Sequence, residues 1–272
     1  MQKPKLRVSL SVINFKEKAL KTWGLEEWQG IDDPVKYVLF FGMYTLHDYD
    51  AYWYFEGDRI VFWCGSDILN TLNSPEFQRR LRLFPNAEHY CETEVEAENL
   101  RKLGIKPKIV PSFLEDVNDF DFNLSWEGEK HLWMCAHSGR EEEYGVDLFL
   151  KMARKFPQMR FHIYGIYDWV GMEKTDNVIY HGQVSNTQLN EEISKFHCGF
   201  RGNEHEGFSE VPIKAILCGG YAITHIPFEK MWQFHNEEEL EHLMTELENK
   251  KEMNKEGYKY WKNQLNRFPW CE

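Results

Sequence analysis

Residues 205–224 constrain the fold more than any other part of the chain. They run as a polar turn (His205-Glu206-Gly207-Phe208-Ser209-Glu210), an apolar segment (Val211-Pro212-Ile213-Lys214-Ala215-Ile216-Leu217-Cys218) and a β-type run after Gly219-Gly220 (Tyr221-Ala222-Ile223-Thr224). Proline is tolerated in a helix only in its first turn, where no intrahelical N–H is required, so Pro212 fixes where the helix begins. The glycine pair fixes where it stops. A glycine-containing turn therefore stands at a helix N-terminus, where open N–H groups and the helix dipole favour an anion such as a diphosphate. Glu206 has the wrong charge to hold that anion. Its carboxylate suits hydroxyl groups, as on a sugar.

The same alternation of strand, turn and helix recurs along the chain. In the first half, strands are predicted at 6–13, 35–41, 59–63, 87–91 and 108–111, and a short helix at 23–29. Residues 43–54 read as a loop rich in aromatic and polar groups. Cys64-Gly65-Ser66-Asp67 follows the third strand. Thr93 with Glu96 forms a capping box for a helix that stops at Gly104. Residues 115–129 are acidic and turn-rich and read as a linker. A second series follows, with strands at 130–136, 159–164, 177–180 and 198–201 and helices at 144–156 and 187–196. Two closing helices span 236–250 and 252–268. Repeated β-α units predict an α/β protein with parallel, helix-covered sheets, whose ligands gather beyond the carboxyl ends of the strands.

Composition narrows the partners. The 272 residues carry a net charge of −12, which gives a nucleic-acid partner no general electrostatic help. The six cysteines, Cys64, Cys91, Cys135, Cys198, Cys218 and Cys271, have no metal-knuckle spacing and read as reduced residues of a cytoplasmic protein. No signal peptide or transmembrane segment is expected, because no apolar run reaches the length of a membrane span.

The second half carries Ser138-Gly139-Arg140, Ile163-Tyr164-Gly165, Asn177-Val178-Ile179-Tyr180-His181-Gly182-Gln183-Val184-Ser185 and Glu206-Gly207-Phe208 in that order. Over some 140 residues this resembles the donor-binding half of GT-B glycosyltransferases, above all the large retaining family with an E-x7-E motif. The resemblance implies two Rossmann-like domains with parallel sheets facing a central cleft, the N-terminal one shortened. Residues 1–120 would take the acceptor, 121–250 the nucleotide sugar, and 251–272 would cross back to the first domain. It also implies sugar transfer from a nucleoside diphosphate sugar to an acceptor glycan or other hydroxyl-bearing acceptor, with retention and with no cofactor or metal.

Residue by residue, the resemblance puts Gly139, Arg140, Gly165, Gln183, Val184, Glu206, Gly207, Phe208, Ser209 and Lys214 around the donor. Arg140 is the diphosphate ligand, since a guanidinium matches phosphate with paired hydrogen bonds. Tyr167 and Trp169 are candidates to stack on the base. On the acceptor side Asp67 and His47 are the catalytic candidates, with Asp48 and Asp50 as alternatives. Each of these four reads equally well as a local turn or cap residue. The sequence departs from the family at three places. Lys214 stands where the second Glu of the motif holds ribose. No lysine follows Arg140, a charge for which Lys214 or Arg201 could compensate, and Val12-Ile13-Asn14-Phe15 replaces the usual glycine-rich loop. These departures leave open a non-catalytic nucleotide-sugar or partner-binding module on a degenerate GT-B fold, and neither the general base nor the oligomeric state is set.

Overall fold

A computed structural model describes residues 3–82, 87–168, 175–203 and 207–271. The chain divides into two compact units, Met1–Asp116 with Gln264–Glu272, and Val117–Asn263.

The first unit is built on five parallel strands in sequential order: β1 (Lys5–Val8), β2 (Tyr37–Phe41), β3 (Asp58–Phe62), β4 (Glu88–Cys91) and β5 (Lys108–Ile109). β2 reads as an unbroken apolar run because both faces of the sheet are covered. Side chains alternate along a strand, so Val38 and Phe40 join the core under α2 (Leu46–Tyr54), α3 (Ser66–Asn73), α4 (Pro75–Arg82) and α5 (Glu94–Lys102). Leu39 and Phe41 join the opposite core, with α1 (Lys16–Trp23) and the chain end. There Trp23 meets Phe41, Phe62 and Phe268 at ring-centroid distances of 5.4, 5.6 and 5.3 Å.

Several elements differ from expectation. Residues 45–54 are not a loop: Thr45 and Asp48 form a complete capping box that starts α2. The first helix ends at Trp23, where the expected 23–29 would begin, and is stopped by Gly24 in the left-handed conformation. α3 and α4 both lie where the sequence reading places no helix. The expected Thr93–Glu96 capping box is present.

The second unit holds a six-stranded parallel sheet in the order β11-β10-β9-β6-β7-β8. Its strands are β6 (His131–Cys135), β7 (Arg160–Tyr164), β8 (Val178–Gly182), β9 (Cys198–Arg201), β10 (Tyr221–Thr224) and β11 (Trp232–Gln233). Helices α6 (Val146–Lys155), α7 (Asn186–Ile193), α8 (Glu210–Leu217), α9 (Glu237–Asn249) and α10 (Lys255–Gln264) complete the unit. The last helix is shorter than the expected 252–268. α8 is buried from Val211 to Leu217 and lies on β9. A Cβ on Gly199 would come within 2.9 Å of Ala215 Cβ, so only glycine in β9 admits the helix this closely. Strand order reverses between β6 and β9. The chain winds outward from β6 through β7 to β8, then returns to the other side of β6. Ligands of open parallel sheets bind at such a switch point, beyond the strand ends.

Candidate functional site

Two loops meet at this switch point. The one after β6 carries His137-Ser138-Gly139-Arg140, and Gly139 has φ +81° with open space around it. The one after β9 begins at Gly202. The two approach closely at Gly145, where a Cβ would lie 2.9 Å from the Cα of Gly202. Tyr144 sits beside this contact and gathers two cations. The Arg140 guanidinium is 5.6 Å and that of Arg201 4.3 Å from its ring centroid. Arg140 also pairs with Glu143, its Nε donating at 2.7 Å. Arg201 is 9% exposed and donates from Nη1 to the carbonyl of Cys135. Burial pushes the Cys135 thiol up to about 11 against the pull of Arg201 and Lys214, so it stays protonated. Tyr144 is not among the site residues expected from sequence, whereas Arg201 is one of the two cations expected to make up for the lysine missing after Arg140.

Of the residues expected at the α8 turn, Glu206 lies outside the described residues, as does Trp169. Gly207 and Phe208 are half-buried, and Phe208 packs on Trp261 and Phe228 at 5.2 and 5.5 Å. Ser209 caps α8, its hydroxyl accepting from Val211 N–H. Lys214 does not face solvent. At 3% exposure its Nζ donates to Asn190 Oδ1 of α7 at 3.2 Å and lies 3.6 Å from Glu210 Oε2, tying α7 to α8.

At the ends of β7 and β8, glycine is required by space. A Cβ on Gly165 would fall 2.1 Å from the Ala136 carbonyl oxygen, and one on Gly182 would strike the Tyr167 ring. Tyr167 thus lies over Gly182 while 75% exposed, beside exposed Gln183 and half-buried Val184. Gly165 and Gly182 are joined by a 2.7 Å hydrogen bond between the Gly165 N–H and the Gly182 carbonyl.

In the first unit the candidates separate. Asp67 is fully buried, and its carboxylate accepts from the N–H groups of Met43, Cys64 and Ile68 at 3.0, 3.0 and 2.9 Å. Burial pushes it up to about 6. So placed, it clamps the loops after β2 and β3 and does not reach a substrate. Asp48 is equally enclosed, taken by Arg7, Ser9 and its capping box. Asp50 pairs with Arg80. Of the four, His47 and Asp50 line open space. Both border a cavity of about 440 Å³ with Arg7, Trp28, Gln29 and Tyr54. Among the described residues no group of three or more His, Cys, Asp or Glu is arranged to hold a metal ion, and no helix is long and apolar enough to cross a membrane.

No family model matches the sequence, and no curated protein matches it. Solved structures do match the fold. Sucrose-phosphate synthase from Thermosynechococcus elongatus is similar over 88% of this chain and 72% of its own, with TM-score 0.63 and 14% identity. Trehalose-6-phosphate synthase, studied for glycosyltransfer with retention, gives TM-score 0.61 over 86% and 71% at 8% identity. The pneumococcal O-GlcNAc transferase GtfA, solved with UDP and GlcNAc, gives 0.55 over 84% and 54% at 13% identity, so this chain spans about half of that protein. The chain therefore has the GT-B fold of these glycosyltransferases: two Rossmann-like units, each on a parallel sheet.

Proposed function

We propose that the chain is a glycosyltransferase that moves a sugar, in the simplest case a hexose, from a nucleoside diphosphate sugar to an acceptor hydroxyl. The observation that carries this reading is the pair Arg140 and Arg201 drawn to one aromatic ring, Tyr144, at the strand-order switch of the second unit. A departing diphosphate needs fixed positive charge, and paired guanidinium hydrogen bonds are the strongest a side chain offers. With the N-terminus of α8 they supply that charge from the chain itself, which supports a reaction without a metal. Glu206 would hold sugar hydroxyls, and Gln183, Val184 and Tyr167 would frame the base. UDP is the first nucleotide to test, since it is the one held by the O-GlcNAc transferase of similar fold. Retention is supported by the sequence resemblance and by the retaining chemistry of trehalose-6-phosphate synthase.

The acceptor reading rests on the His47 cavity, where two aromatic rings stand among Arg7, Gln29 and Asp50. Flat apolar faces beside planar polar groups suit a glycan. The free cysteines support a cytoplasmic setting.

One observation favours a second reading. Lys214 is spent between Asn190 and Glu210, where the family keeps a ribose-binding carboxylate. A non-catalytic nucleotide-sugar module would accept that change more readily than an enzyme. Thermal unfolding against a panel of nucleoside diphosphates and their sugars, followed by assay of nucleotide release, separates the cases. A true ligand at about 100 times its Kd raises stability by about 2.7 kcal/mol. Stabilisation with turnover supports the enzyme, stabilisation without turnover the module, and no stabilisation by any member overturns both.

A further inference from the structure

The second unit also carries a line of three imidazoles that the donor reading does not use. His131 opens β6, His162 is the middle residue of β7 and His181 lies near the end of β8, so the three stand on adjacent strands. Nδ1 of His131 is 2.9 Å from Nε2 of His162, and Nδ1 of His162 is 2.9 Å from Nε2 of His181. A carboxylate stands at each end. His181 Nδ1 is 3.4 Å from Oε2 of Glu192 on α7, and His131 Nε2 is 4.0 Å from Oε2 of Glu129. Phe196 stacks on His162 and His131.

Proton counting sets what such a line can do. Each inner gap must hold one N–H, because two lone pairs or two N–H groups would repel. Three neutral rings carry three N–H groups. Two fill the gaps, and one remains for the two ends. Glu129 already accepts from Arg160 at 3.1 Å, and Glu192 is the nearer carboxylate. The neutral line therefore points toward Glu192, with every ring protonated at Nδ1. That leaves a lone pair on His131 Nε2, whose side chain is 31% exposed.

A fourth proton enters there. Shifting the two gap protons then carries the charge from His131 through His162 to His181, beside Glu192. A fifth proton would set two N–H groups against each other, so the capacity is one. We propose that the His131–His162–His181 line is a one-proton store whose charge, delivered against Glu192, sets how firmly α7 is held.

The groups around the line fit this role. Arg160 on β7 opposes the extra charge, while Glu129 and Glu192 favour it, and Lys195 stands near Glu192. Lys130 beside β6 acts on His197. His197, just before β9, is outside the line. Its Nδ1 accepts from the His131 N–H and its Nε2 donates to the Ser125 carbonyl, which locks it neutral. Glu192 also accepts from Tyr164 OH at 2.5 Å and from Gln188 at 2.9 Å. Two residues before it, Asn190 accepts from Lys214. A charge at His181 thus acts on the helix that holds Lys214 beside the switch point.

Imidazole nitrogen NMR on the whole chain, titrated from pH 8 to 4, tests the store. The expected result is Nδ1–H on all three rings at high pH, then one transition with a common midpoint and one proton in total. Three separate midpoints, or uptake of more than one proton, would overturn it. Amide exchange of α7, corrected for its intrinsic pH dependence, tests the link. In the wild type, protection against local opening rises about threefold across the same midpoint, as a newly charged pair allows. In Glu192→Gln, which keeps the hydrogen-bonding shape, that rise disappears and the NMR midpoint falls. An unchanged rise in Glu192→Gln would overturn the link. His162→Phe, stacked in the same place on Phe196, cuts the line and gives the independent control.

Discussion

Gly145 and Gly202 touch backbone to backbone: a Cβ on the first would lie 2.9 Å from the second's Cα, and one on the second 3.0 Å from the first's. This contact sets the spacing of the two loops that bring Arg140 and Arg201 to Tyr144. Gly145 also has φ +75°, which costs an L-residue about 1–2 kcal/mol before any clash. Gly145→Ala should therefore destabilise the second unit most, by about 3 kcal/mol with overpacking included. Gly202→Ala should cost less. Gly139→Ala meets open space and carries only the conformational cost. Denaturant melts of the three variants check the order.

Arg140 and Arg201 should differ in what their loss does. Arg140 lies in an exposed loop, so Arg140→Ala should leave stability near wild type. It should weaken nucleoside diphosphate binding by about tenfold or more, as expected for a lost charge-assisted hydrogen bond. Arg201 is buried against Tyr144 and the Cys135 carbonyl, so Arg201→Ala should lower both affinity and melting temperature. Calorimetric titration with UDP beside thermal melts separates the two effects.

The first unit should lose stability as pH rises. Glu96 accepts from Glu92 and Thr93 N–H at Oε2, while its Oε1 is buried without a partner. Burial, and next to it the Asp67 charge, pushes Glu96 up to about 7, and burial pushes Asp67 up to about 6. Carboxyl groups raised in the folded state hold protons that the unfolded chain releases near pH 4. Their contribution is therefore full below pH 4 and is lost as pH climbs through 6 and 7. Glu96→Gln should flatten this slope between pH 5 and 8, which urea melts at the two pH values measure.

The second unit should respond in the opposite direction. Burial holds His162 down to about 3 and His197 down to about 4, and lowers His131 and His181 as well. The unfolded chain takes up protons on these rings near pH 6.5, whereas the folded line admits one. Stability is thus full above pH 6.5 and falls on acidification, by about 1.4 kcal/mol per pH unit for each proton of difference. Hydrogen exchange resolved by peptide across pH 5–8 distinguishes the two units.

Asn266 should be hard to replace. It sits at φ 56°, accepts from Trp23 Nε1 and the Phe113 N–H, and donates to the Phe113 carbonyl. Asn266→Ala loses three hydrogen bonds and strains the backbone, for a cost of about 2–4 kcal/mol to the first unit. Asn266→Gly should recover only the backbone part, and a comparison of the two melts shows the division.

Much of this was legible where the signal is local. The Thr93–Glu96 box, the early Pro212 and the stop at Gly219 gave helix ends that the structure keeps, because caps act within four residues. Helix α2 was missed although Thr45-x-x-Asp48 announces it. Its aromatic-rich sequence has little amphipathic contrast, and the box alone was not enough. Asp67 looked like a site residue because it follows a strand, and only the structure turns its carboxylate inward to three backbone amides.

Sequence alone determined the alternation of strand and helix, the glycines at the strand ends and the charge of the loops, since each depends on neighbours a few residues away. Tertiary structure decided that β9 returns beside β6, that Arg201 joins Arg140 at Tyr144, and that three histidines fall into one line. Parallel strands carry no mark of their partners in their own residues, and register across the sheet depends on how the crossing helices pack.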